Sequence, residues 1–139
     1  MKKYKRGITF GAFEIFHQGH YNILKNAKEQ CEELIVCISD DEYIKGVKGH
    51  SPEICFELRR AIVRACKFVD RVGIQSEYHT KKKNVEVWQP DVIFVGDDWT
   101  PKTFKGEGMG VPVVYLPRTP NISSSKIRGN VVKLKNDKE

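Results

Sequence analysis

Along the 139 residues, short apolar runs alternate with stretches of helical periodicity. Gly7 to Phe10 reads as a buried strand, and Leu34 to Ser39, apolar until its last residue, as a strand covered on both faces. Val69 to Ile74 gives a third strand, and Val92 to Val95 a fourth that breaks off at Gly96-Asp97-Asp98-Trp99. Val111 to Leu116 gives a fifth, where Pro112 predicts an edge position or a late start. Tyr21, Ile23, Leu24 and Ala27 recur at helical spacing in a helix beginning near Gly19. Asp40 to Tyr43 opens a short turn or helix, and Lys45 to Pro52 reads as a loop rich in glycine and lysine. Pro52 begins the next helix, with Ile54, Cys55, Leu58, Ala61, Ile62, Ala65 and Cys66 as its apolar stripe and Arg59, Arg60 and Arg64 off it. His79 to Gln89 forms another helix, and Thr100 to Gly110, polar and glycine-rich, reads as a mobile loop. This alternation predicts an α/β fold: a single-domain, doubly wound, five-stranded parallel sheet with ligands at the strands' C-terminal ends.

Composition narrows the class. The length allows one domain, 1–139, with a core from about 7 to 134 and basic termini. No apolar run approaches a membrane span, and Met1 to Arg6 leads into no signal-type stretch, so a cytoplasmic protein without membrane partners is expected. Cys31, Cys37, Cys55 and Cys66 show no paired short spacing and sit in apolar patterns, as buried free thiols would. The net charge of +6 suits nucleic acid or small polyanionic substrates. No zinc-finger, homeodomain or RNP pattern accompanies the basic clusters, which favours the small substrates.

The chemistry concentrates between Ile8 and His20. A strand that turns at Gly11 into a helix start presents backbone N–H groups and the positive end of a helix dipole, which together make an anion site. His17 and His20, three apart, fall on one face of that helix, where both can donate to one phosphate. A zinc half-site is the alternative for such a pair, but no further ligands follow at zinc spacing, and no metal ligand set is assigned to protein side chains. At the other end of the chain, Arg118, Thr119 and the serines Ser123 to Ser125 precede a helical pattern. The serines read as plain N-caps, or, together with Arg118 and Thr119, as a second phosphate cradle.

Gly11, Phe13, Glu14, His17, Gly19 and His20 resemble, in register, the signature of the nucleotidyltransferases related to glycerol-3-phosphate cytidylyltransferase. Glu14 stands where that family usually has Asp. The resemblance extends to the lysine loop, to Arg59 with the Phe68-Val69-Asp70-Arg71-Val72 strand, and to Gly96-Asp97-Asp98-Trp99. It ends at Pro117-Arg118-Thr119 with Ile122-Ser123-Ser124-Ser125, so it spans Ile8 to about Ile127. Lys67 replaces a common Arg, and Asn121 a Gly whose turn Asn tolerates.

The resemblance implies a Rossmann-like nucleotidyltransferase that moves a cytidylyl group from CTP to glycerol 3-phosphate. CDP-glycerol and pyrophosphate would result, with Mg²⁺ on the triphosphate. Another phosphorylated polyol or sugar acceptor, or ATP as donor, are variants of this reading; a non-catalytic nucleotide- or RNA-binding module is the different-class alternative. By the same resemblance His17, His20, Lys48 and Arg118 are catalytic, with Lys48 bridging triphosphate and acceptor. Gly11, Ala12, Phe13, Asp98, Trp99, Thr119, Ile122, Ser123, Ser124 and Ser125 bind the nucleotide, Asp98 at its cytidine portion. Glu14, Lys45, Arg59 and Lys81 attend the acceptor, and a homodimer is implied.

Overall fold

The structure is a computed structural model, and it describes residues 2–96, 110–117, 119–120, 123, 125–127 and 129. Five strands form one parallel sheet: β1 (Tyr4–Gly11), β2 (Cys31–Ser39), β3 (Arg71–Gln75), β4 (Val92–Gly96) and β5 (Val113–Leu116). Their order is β3-β2-β1-β4-β5, so the chain moves outward from β1 in one direction and then returns to build the other half. Parallel neighbours require crossovers: α1 (Gln18–Gln30) leads from β1 to β2, α2 (Asp41–Lys48) and α3 (Phe56–Ala65) from β2 to β3, and α4 (Lys81–Trp88) from β3 to β4.

The alternation along β2 explains why helices cover both faces. Leu34, Val36 and Ile38 enter one core with Leu24 and Ala27 of α1 and Val63 of α3. Ile35 and Cys37 enter the other with Ile8, Ile93 and Val85 of α4. Gly7 lets β1 lie beside Phe94, for a Cβ there would sit 2.4 Å from the ring. No helix among the described residues is long and apolar enough to cross a membrane.

The fold class follows the expected pattern, and Pro112 indeed delays β5, which lies at the sheet edge. Several boundaries shift. Lys45 to Lys48, read as loop, are the last turn of α2, closed by Gly49 at φ 82°. Gly suits that left-handed cap. The helix expected from Pro52 begins only at Phe56. Its stripe also points the other way: Leu58, Ala61, Ile62 and Ala65 are exposed, while Arg59 and Val63 are buried. Cys31 and Cys37 are buried free thiols as expected, but Cys55 is exposed and Cys66 half-buried. The expected loop from Thr100 lies, up to residue 109, outside the described residues.

Candidate active site

The switch in strand order between β1 and β4 opens a crevice at their C-terminal ends, where α/β sheets bind ligands. A cleft of about 420 Å³ occupies this position, walled by Gly11 at the end of β1, by Ala12 and Phe13 after it, and by Val95 and Gly96 of β4. Gly11 is required by its neighbour: a Cβ there would lie 2.8 Å from the Phe13 ring, and Phe13 itself turns at φ 51°.

The two histidines form the start of α1. His17 is the N-cap, and its Nδ1 accepts from the Gly19 N–H at 3.0 Å. His20 Nδ1 accepts from the His17 N–H at 3.3 Å. This is the reciprocal capping box usually built from Ser or Thr and Glu, made here by two imidazoles. With both Nδ1 atoms accepting, each neutral ring carries its proton on Nε2, as a donor. The rings stack with centroids 3.8 Å apart, and Phe13 and Phe16 pack on His20. Burial lowers the His17 pKa. Burial and the neighbouring His17 push His20 down to about 3. Both therefore present neutral N–H donors at the positive end of the α1 dipole.

On the far side of the cleft α2 contributes Tyr43, Ile44, Val47 and Lys48. Lys48 Nζ is ion-paired with Glu14 Oε2 at 2.5 Å, so the half-exposed ammonium is anchored by a carboxylate that is only 4% exposed. Lys81 begins α4 and lines the cleft, its ammonium 5.6 Å from the centre of the Phe10 ring. Asn84 sets that turn by donating to the carbonyls of Ile74, His79 and Thr80. Thr119 and Ser123 also line the cleft, and Asn22 of α1 donates to Thr119 Oγ1 at 2.8 Å. Ser123 Oγ caps the following turn by accepting from the Lys126 N–H.

Arg59 stands apart from expectation. Its guanidinium is fully buried and donates to the carbonyls of Ile54, Ala12 and Ser39 and to Asp41 Oδ1, at 2.6–2.9 Å. It thus braces the loop after β1, the end of β2 and the start of α2 against one another, instead of offering its charge to an acceptor. Lys45 and Ser125 are exposed on their helices, and neither lines the cleft. Asp98, Trp99, Arg118, Ile122 and Ser124 lie outside the described residues. Among the described residues no three His, Cys, Asp or Glu side chains converge on a metal position.

Sequence reasoning passes over Ser39, Tyr43 and Gln75, all in the cleft wall. Ser39 and Gln75 end β2 and β3, so the rule that ligands meet strand C-termini points to both.

The class these features define is a phosphate-handling enzyme on a Rossmann-like fold. The chain matches the family described as cytidylyltransferase-like over residues 8–130, and it belongs to that family. It is 35% identical over 130 residues to a glycerol-3-phosphate cytidylyltransferase of Bacillus subtilis, covering 94% of this chain and 99% of that protein. A Staphylococcus aureus protein of the same name is 33% identical over 124 residues, covering 89% and 92%. Among solved structures, a lipopolysaccharide core biosynthesis protein of Thermoplasma volcanium superposes with a TM-score of 0.67 at 28% identity, covering 84% of this chain and 97% of that one. A pantothenate synthetase of Thermus thermophilus shares the fold at 13% identity, with a TM-score of 0.61 over 96% of this chain and 67% of that one.

Proposed function

We propose that this nucleotidyltransferase moves a cytidylyl group from CTP to glycerol 3-phosphate, giving CDP-glycerol and pyrophosphate. The observation that carries the reading is the histidine capping box, which aims two neutral Nε2–H donors from a helix N-terminus into the cleft. The near full-length likeness to glycerol-3-phosphate cytidylyltransferases supports this substrate pair.

The acceptor phosphate is already an anion, so no general base is needed. Its oxygen attacks the α-phosphorus of CTP, a new P–O bond forms, and the bond to the β-phosphate oxygen breaks. Pyrophosphate leaves, and Mg²⁺ carried in on the triphosphate would neutralise the charge of that leaving group. The protein's tasks are to hold two repelling anions together and to stabilise the charge that builds on the phosphoryl oxygens. His17 and His20 donate to the α-phosphate. Thr119 and Ser123, with Arg118 and Ser124, hold the outer phosphates, and Asp98 and Trp99 attend the cytidine. Lys48, steered by Glu14, and Lys81 draw in the acceptor phosphate. Arg59 positions the loops that carry these groups. The reading includes a cytoplasmic homodimer, which light scattering tests as twice the 16.0 kDa chain mass.

The enzyme is tested by following pyrophosphate release from CTP or ATP with a panel of phosphorylated acceptors. CTP with glycerol 3-phosphate is expected to give the highest kcat/KM. Preference for ATP, or no turnover with any acceptor, overturns the reading.

A further inference from the structure

The cleft extends beyond the β1/β4 crevice, across the ends of β2 and β3. Ser39 and Gln75 are register partners on these adjacent strands, and only 5% and 3% exposed. Ser39 Oγ donates to Gln75 Oε1, and Gln75 Nε2 donates to Tyr43 Oη, each at 3.3 Å. Asp40 fixes the frame: its N–H donates to the Gln75 carbonyl, and its side chain caps α2 at the Tyr43 N–H. All three members of the chain line the cleft, as do Lys48 and Lys81.

The chain has a direction. Ser39 spends its one hydrogen on Gln75 and keeps acceptor capacity, while Tyr43 accepts from Gln75 and keeps its hydrogen. Turning the Gln75 amide over exchanges the two ends and still leaves one donor and one acceptor. A hydroxyl both donates and accepts, so the hydroxyls of a polyol can satisfy either end. An ammonium meets only the acceptor end and a carboxylate only the donor end. The carboxylate on this side, Glu14, is already ion-paired with Lys48.

We propose that Ser39, Gln75 and Tyr43 form a hydroxyl-reading relay that restricts the acceptor to phosphates of uncharged polyols, with Tyr43 as its donor. This rests on the cytidylyl-transfer reading above and names the residues that select within it. Ser39 and Gln75 are buried and Tyr43 half-buried, so a relay left without its hydroxyl partner penalises the deoxy substrate.

The test compares kcat/KM for glycerol 3-phosphate, 2-hydroxypropyl phosphate, 3-hydroxypropyl phosphate and phosphoethanolamine, at saturating CTP, in wild type and Tyr43→Phe. Wild type is expected to disfavour at least one monodeoxy analogue, and phosphoethanolamine, by roughly 10²-fold or more. Tyr43→Phe should lose about tenfold or more on glycerol 3-phosphate and little on that analogue, so that the preference shrinks while the KM for CTP holds. If Tyr43→Phe folds poorly, Ser39→Ala makes the same comparison from the other end of the relay. An equal fall on all acceptors means that the relay only ties α2 to β3 and overturns the proposal. Equal use of phosphoethanolamine by wild type also overturns it. If wild type consumes CTP with none of the acceptors, the cytidylyl-transfer reading falls, and the relay proposal with it.

Discussion

Replacing His17 by alanine removes two things at once, the cap of α1 and an Nε2–H aimed at phosphate. The cap alone is worth about 1 kcal/mol, so His17→Ala should unfold earlier in urea as well as turn over slowly. His17→Asn separates the two losses, because its side-chain oxygen can cap the Gly19 N–H without reaching into the cleft. It should keep most of the stability and still lose roughly 10²-fold in kcat, the scale of one preorganised donor. Wild-type turnover in the asparagine variant would remove His17 from the phosphate site. At this scale the sequence is half legible. The spacing of the two histidines, and the glycine turn before them, mark an anion site. The capping box is hidden, because capping patterns are recognised through Ser, Thr, Asp and Glu, and an imidazole Nδ1 does the same work unseen. Glu14 and Lys48 illustrate a second limit: each reads as a ligand group, yet they are 34 positions apart in sequence and only the fold makes them an ion pair.

Among the elements, α3 departs furthest from its pattern. Its apolar residues repeat at helical spacing, and periodicity assigns them to the core and the arginines to solvent. The structure reverses this for Arg59, because four hydrogen bonds to three carbonyls and a carboxylate compensate its burial. Carbonyls at loop ends carry no sequence signal, so no reading of α3 by itself could find that partner set. The brace ties three segments that carry site residues, and its loss should be felt in all of them. Arg59→Met keeps the length and removes the donors. It is expected to cost about 3 kcal/mol or more in urea unfolding, as for breaking a buried charged network from one side, and to raise the KM values for both substrates. Arg59→Lys should rescue little, since one ammonium cannot serve the same spread of acceptors. A stable Met variant with unchanged kinetics would show that the brace is dispensable.

For the whole molecule, the alternation of apolar runs and helical stretches is enough to foretell a doubly wound sheet, since parallel neighbours need crossovers. The strand order is less visible. That β4 returns to pair with β1 follows from long-range register such as Ile8 with Ile93, which no local pattern encodes. One consequence of the assembled site is global, and it concerns pH. Burial lowers His17, and burial with His17 as neighbour holds His20 near 3, against 6.5 for an unperturbed imidazole. Between those values the unfolded chain binds more protons than the folded one. Stability therefore rises with pH through this window and is lost as pH falls below about 6.5, at up to about 1.4 kcal/mol per pH unit for each fully neutral histidine. Two carboxylates act in the same direction, but lower. Glu33 is lowered by its hydrogen bond from Arg71, from 4.5. Asp70 is raised by burial but lowered overall by Lys28 and the Leu34 amide, from 3.8. The interval from pH 6.5 to 5 thus lies above both of these carboxylates and inside the histidine window. Urea unfolding at pH 7.5 and pH 5.0 should show a clear loss for wild type. His20→Asn should lose distinctly less across the same interval, because an amide oxygen can accept from the His17 N–H without titrating. Equal losses in the two proteins would mean that His20 is not held neutral by the fold, and that its Nε2–H is not the fixed donor the site requires.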